Sequence, residues 1–160
     1  MAVRHDRDVN ELKERLRADL TDAMRSRDQV RLRTLRMALT AITNEEVSGS
    51  ATRELSDDDV LKVLTREAKK RREAAEAFEA AGRASQAEAE RAEGDVLAGY
   101  LPAQLSDEEL AGLVAAAVAE TGAAGLPGMG KVMKALTPRV AGRAEGARVA
   151  AEVRRQLAAG

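Results

Sequence analysis

Cysteine and tryptophan are absent from this sequence, and His5 is its one histidine. Disulfides, thiolate metal sites and thiol nucleophiles are therefore excluded. Zinc needs several His or Cys ligands, so no zinc site and no other metal is expected. A serine nucleophile would have to find its base in His5 alone, and no Ser–His or Cys–His pair suggests itself. Aromatic residues make up 1% of the chain, namely Phe78 and Tyr100. Gripping a nucleic acid by stacking bases on aromatic platforms is then not expected. No apolar run approaches the roughly 20 residues of a membrane span. The opening MAVRHDRDVN lacks an apolar signal core, so a soluble cytoplasmic protein without membrane contact is the expectation. The formal net charge is −1. That excludes a globally basic nucleic-acid binder but allows a local basic patch.

What the chain does have is helix-forming residues. Ala is abundant, Leu, Glu and Arg are common, and no period-2 runs of Val, Ile, Tyr or Phe occur. These choices predict an all-α protein. Residues 1–10 are polar and read as a disordered tail. From Val9, the spacing of Leu12, Leu16, Leu20, Ala23 and Met24 marks one face of a helix. Asp28 is a suitable N-cap for a second helix, striped by Leu32, Leu35, Leu39 and Ile42 and ending near Gly49. The two should form an antiparallel hairpin.

Three more helix starts show a capping-box pattern or a variant of it, at Ser56, Ser85 and Ser106. The helix from Ser56 should bury Val60, Leu64, Ala68, Ala75 and Phe78 and stop with Gly82 at C′. The next should run from about Ser85 to Leu97, weakened by Gly94. In GYLPAQLS, Pro102 disfavours helical geometry at Leu101, and the domain boundary is placed there. Eight of the 12 glycines and all three prolines follow residue 100. The reading is thus a helical domain of about four helices over 11–100 and a three-helix unit over 101–160. The latter has helices from Ser106 to about Thr121, from about Gly128 to Thr137 stopped by Pro138, and from about Glu145 to Leu157, striped by Val149, Val153 and Leu157. So small a unit is marginal for independent stability.

Residues 125–149 read GLPGMGKVMKALTPRVAGRAEGARV. Gly125 to Lys131 fits G-x-x-x-x-G-K, close to a phosphate-cradling ATPase loop. Such a loop follows a buried strand and continues with Ser or Thr to hold Mg²⁺. Here AETGAA, the end of a helix, precedes it, and Val132 stands in the hydroxyl position. ATP binding is not expected, and no cofactor is.

The local charge is more informative. Between Gly125 and Gly160 lie seven basic and two acidic side chains, a net of +5. Between Leu101 and Ala124 lie four acidic side chains and no basic ones. Lys131 and Lys134, three apart, share a helix face. Arg139, Arg143 and Arg148 extend the basic set. Two helix starts are flanked by glycine, Gly128 and Gly130 at one, Gly142 and Gly146 at the other. Backbone N–H groups at helix N-termini can bind phosphate oxygens, and glycine lets a ligand come close. A phosphate-backbone reader that needs no aromatics can be built this way. The same residues also describe a solvated basic face with glycines at its turns.

Other candidates are weaker. REAKKRRE, Arg66 to Glu73, reads as an exposed helix face laced with Glu. Arg31, Arg33 or Arg36 should pair with Glu45, Glu46 or an acid of the first helix. Asp57–Asp58–Asp59 is accounted for by the positive end of a helix.

Four segments together resemble a known family: LRTLRMALTAITNEEV, EAFEAAGRASQAEAE, GYLPAQLSDEEL and MGKVMKALTPRVAGRAEGARV. They are similar to the YqeY family, small bacterial proteins related to the tail of GatB, a subunit of the tRNA-dependent Asp/Glu amidotransferase. The resemblance covers about Leu12 to Leu157. It implies an N-terminal helical domain and a C-terminal three-helix unit like the GatB tail, which contacts tRNA. Met129–Lys134 and Gly142–Gly146 match the tail's signature segments. The family is filed under carbon–nitrogen ligase activity with glutamine as amido-N-donor. GatB's catalytic domain, its metal site and the amidase subunit's Ser–Ser–Lys machinery have no counterpart here, so no catalytic residues are carried over. Glu145 stands where many relatives have Asp and should serve alike. Thr137 stands where many have an apolar residue and should weaken packing there. The resulting expectation is a tRNA-binding or amidotransferase-associated module, without DNA specificity, using Lys131, Lys134, Arg139, Arg143 and Arg148. An adaptor that binds proteins without RNA is the alternative.

Overall fold

The computed structural model describes residues 11–159. The expected tail at 1–10, with Val9 and His5, lies outside the described residues. Among the described residues there are seven α-helices, one 3₁₀ turn and no strand. No single helix among them is long and apolar enough to cross a membrane. The chain divides into two compact units, one ending at Leu101 and one beginning at Pro102.

The first unit contains α1 (Glu11–Ser26), α2 (Gln29–Glu46), α3 (Asp57–Ala80) and α4 (Ala84–Ala98). Asp28 caps α2 by accepting the Arg31 N–H, and Ser56 caps α3 by accepting the Asp59 N–H. The Asp57 carboxylate also accepts the Leu12 N–H at 3.1 Å, so one acid serves the starts of two helices. Leu16, Leu35, Ile42, Leu55, Val60, Leu64 and Leu97 are fully buried in one core. Leu12, Leu20, Leu32, Leu39, Ala68 and Leu101 pack partly buried against it. Met24 departs from the predicted stripe: it is 54% exposed at the end of α1.

The α3–α4 turn corrects one predicted cap. Gly82 has φ +74°, the Gly82 N–H donates to the Glu79 carbonyl, and the Arg83 N–H donates to the Phe78 carbonyl. This paired C-terminal motif holds Arg83 at the point where α4 must begin. Arg83 becomes the N-cap, and Ser85 lies inside α4 with no capping role. Gly94 does not interrupt the helix.

REAKKRRE is also less exposed than expected. Glu67 is 8% exposed, and Arg71 reaches Glu90 at 3.2 Å and Glu93 at 3.5 Å on α4. Glu93 also accepts from Arg33 of α2 at 2.7 Å. Arg31 approaches Asp19 of α1 at 3.9 Å. Lys13 and Glu46 form a bridge at 2.9 Å, with their side chains only 11% and 12% exposed. Tyr100 closes the unit. Its hydroxyl donates to Asp19, and Arg15 sits over its ring, 4.7 Å from the centroid. Burial foremost, and then the Asp19 carboxylate, push the Tyr100 hydroxyl up to about 12.

The second unit contains α5 (Asp107–Thr121), α6 (Met129–Val140) and α7 (Gly146–Ala159), with a 3₁₀ turn at Leu126–Gly128. Ser106 and Glu109 complete a reciprocal capping box, and α5 ends against Gly122 at φ +64°. Leu110, Val114, Val132, Leu136, Val149, Val153 and Leu157 form its core. Pro138 does not stop α6, which continues to Val140. Proline so near the C-terminal end removes a single N–H, while the further turn buries Val140 to 6% exposure. Thr137 costs no packing either. It is exposed, and its hydroxyl donates to the Met133 carbonyl at 2.8 Å.

Candidate nucleic-acid interface

The five basic residues singled out above separate into two groups. Lys131 and Lys134 are exposed on α6, one helical step from Val132 and on the side away from the buried Val132–Leu136–Val140 stripe. Neither makes an ion pair among the described residues. Two of the three arginines bond to an acid of α5. Arg139 donates to Glu120 through both terminal guanidinium nitrogens, one of them at 3.3 Å. Arg148 bonds to Asp107 at 2.7 Å. Arg143 is half-buried, and its charge acts on Glu109.

The electrostatics follow this pairing. The hydrogen bond from Arg139 lowers the Glu120 carboxyl below its ordinary range, and Glu120 in turn raises Arg139. Glu109 is lowered first by the Ser106 backbone N–H, then by the Ser106 hydroxyl, with Arg143 adding the smallest part. The acidic stretch before residue 125 and the basic stretch after it thus meet in two interhelical pairs, Glu120–Arg139 and Asp107–Arg148. Over 102–160 the balance is seven basic against six acidic side chains. The +5 surface anticipated between Gly125 and Gly160 is largely compensated within the unit. The signal was available in the sequence: a helix carrying only acids, next to basic helices in one small unit, is what internal pairing looks like.

The four glycines also separate. Gly128 is not an open helix start. Its N–H donates to Gly125, the next N–H donates to Leu126, and the 3₁₀ turn runs directly into α6. A Cβ at Gly128 would lie 2.7 Å from the Ala123 Cβ, so its lack of a side chain allows the α5–α6 connection to close. Gly142 is buried at φ +71°, a left-handed turn that ends α6 rather than opening α7. Gly130 and Gly146 are exposed, and a Cβ at either would meet nothing within 4 Å.

Gln104 was missed by the residue patterns. Its side-chain amide donates to the Gly142 carbonyl at 2.9 Å, and the Leu105 N–H donates to the Arg143 carbonyl at 2.8 Å. Two hydrogen bonds therefore tie the start of the unit to the turn carrying Arg143. Gln156 similarly ties α7 to the Ala111 carbonyl of α5 at 2.9 Å. Such side chain–backbone ties leave no periodic trace in a sequence. Among the described residues, no group of three or more Asp, Glu, His or Cys side chains is placed to hold a metal ion.

The unit can therefore offer a polyanion two lysines that are unpaired among the described residues and share one helix face, together with Arg139 and Arg148 held by surface carboxylates. Arginine forks suit phosphate as well as carboxylate. Comparison with sequence families finds a match to the family described as Yqey-like protein, over residues 13–157. No curated protein matches the chain.

Proposed function

The chain belongs to the Yqey-like protein family, and from that membership we propose that it is a binding module whose second unit holds the phosphate backbone of tRNA. It would work beside an amidotransferase or another protein of translation. The carrying observation is the pair Lys131 and Lys134, exposed and without acidic partners among the described residues, in a unit where Arg139 and Arg148 are bonded to acids. Lysines left unpaired on a solvated face are ready point charges for phosphate. The resemblance to the GatB tail, which contacts tRNA, supports the same reading. Catalysis is not part of this reading.

The test is binding of bulk tRNA by fluorescence anisotropy at low salt. Lys131→Ala/Lys134→Ala should weaken binding about tenfold while leaving the circular dichroism spectrum unchanged. Unchanged binding by a folded double variant would refute the reading. An RNA-independent adaptor is the second reading. The pairing of Arg139 and Arg148 with acids of the same unit favours it, because those charges need no external anion. Partners captured from lysate that persist after nuclease treatment support the adaptor, and partners lost with the RNA support the tRNA module.

A further inference from the structure

We propose that Asp107 and Glu120 of α5 act as built-in counter-ions that occupy Arg148 and Arg139 in place of phosphate and so limit how tightly the second unit binds RNA. This rests on the tRNA-binding reading above and adds a mechanism that sets its affinity. Both acids lie on α5, near its opposite ends, and each reaches an arginine on a different helix. Both pairs lie at the surface: Arg139 and Glu120 are 39% and 53% exposed, and Arg148 and Asp107 are 34% and 97% exposed.

Exposed pairs of this kind are held weakly, because water screens the attraction and two flexible side chains must be ordered. A guanidinium makes the same forked contacts to a carboxylate as to a phosphate. A polyanion can therefore exchange places with either acid, and the lost pair subtracts from the gain of the new contact. Lys131 and Lys134 carry no such penalty. Glu109 stands near Arg143 in a similar relation, but its carboxylate also accepts the Ser106 N–H at 3.2 Å, which makes it part of the α5 cap. It is therefore unsuited to a clean substitution. Glu108, on the same turn as Asp107, is exposed and makes no ion pair among the described residues, so it supplies the control for a mere change in net charge.

The experiment measures tRNA binding by full-length Asp107→Asn, Glu120→Gln, their double variant and Glu108→Gln, with folding checked by circular dichroism. Each of the first two should bind about threefold more tightly than wild type and the double variant about tenfold, whereas Glu108→Gln should change binding less than about twofold. Adding Arg139→Gln/Arg148→Gln to the double variant should abolish the gain. Gains from Asp107→Asn and Glu120→Gln no larger than that from Glu108→Gln would overturn the inference. So would a gain that survives loss of both arginines. Failure of the underlying reading shows separately, as tRNA binding unaffected by Lys131→Ala/Lys134→Ala. Absence of binding by every variant would count against both.

Discussion

The two units treat charge in opposite ways. The first places charged groups inside its packing: Lys13, Glu67 and Glu93 are all less than a tenth exposed. Glu93 joins α2, α3 and α4 by accepting from Arg33 and Arg71, and Lys13 joins α1 to α2 through Glu46. Among the described residues, the second unit buries only aliphatic side chains, and its interhelical ion pairs lie at the surface. Removing one partner of a buried pair strands the other in a poorly solvated place. Surface pairs can open at little cost. Charge in the first unit therefore specifies how helices meet, whereas charge in the second remains available for exchange with a ligand.

The largest effect should come in the aliphatic core of the second unit. Leu136→Ala removes a fully buried side chain from the aliphatic core and should cost about 2–5 kcal/mol. That is a large part of the stability expected for so small a unit. Urea unfolding followed at the amides of α5–α7 measures it, and a loss below about 1 kcal/mol would break the picture of an aliphatic core that works alone.

A paired substitution addresses the charge contrast directly. Lys13→Ala leaves Glu46 without its partner and should cost about 3 kcal/mol, while Lys13→Met/Glu46→Leu should recover most of that loss. Lys131→Ala in the second unit should change stability by less than about 0.5 kcal/mol. Equal losses for Lys13→Ala and Lys131→Ala in thermal unfolding would erase the distinction between the units.

The smallest effect, a titration, sharpens the picture of the first unit's closing contact. Tyr100 is the one tyrosine, so tyrosinate absorbance reports it alone. Its midpoint should lie at about 12 rather than 10.0, and Asp19→Asn should lower it. Because the folded value is raised, this contribution to stability is complete below the unfolded value of 10.0. It is lost as pH climbs through about 12. A wild-type midpoint near 10.0 would show that the hydroxyl is neither buried nor bonded to Asp19.

Features decided within a few residues were legible in the sequence. Asp28, Ser56, Ser106 and Gly82 end or begin helices as read, because caps depend on local backbone groups. Ser85 misled because the C-terminal motif of α3 had already determined where α4 begins. Pro138 misled because burial of Val140 outweighed one missing N–H. The candidate site was half legible. Exposure of Lys131 and Lys134 follows from the apolar stripe of α6. The partners of Arg139, Arg143 and Arg148 depend on which helix lies alongside, and no spacing along the chain contains that. Gly128 likewise looks like any helix-start glycine until Ala123 is found against it.

The central claim is that Lys131 and Lys134 neutralise phosphates. It is tested most directly by the salt dependence of tRNA binding, measured for wild type and for Lys131→Ala/Lys134→Ala. Two lost phosphate contacts should make the slope of log affinity against log salt shallower by about 1.8 on duplex RNA regions, at roughly 0.9 per phosphate. Identical slopes for the two proteins would contradict the claim.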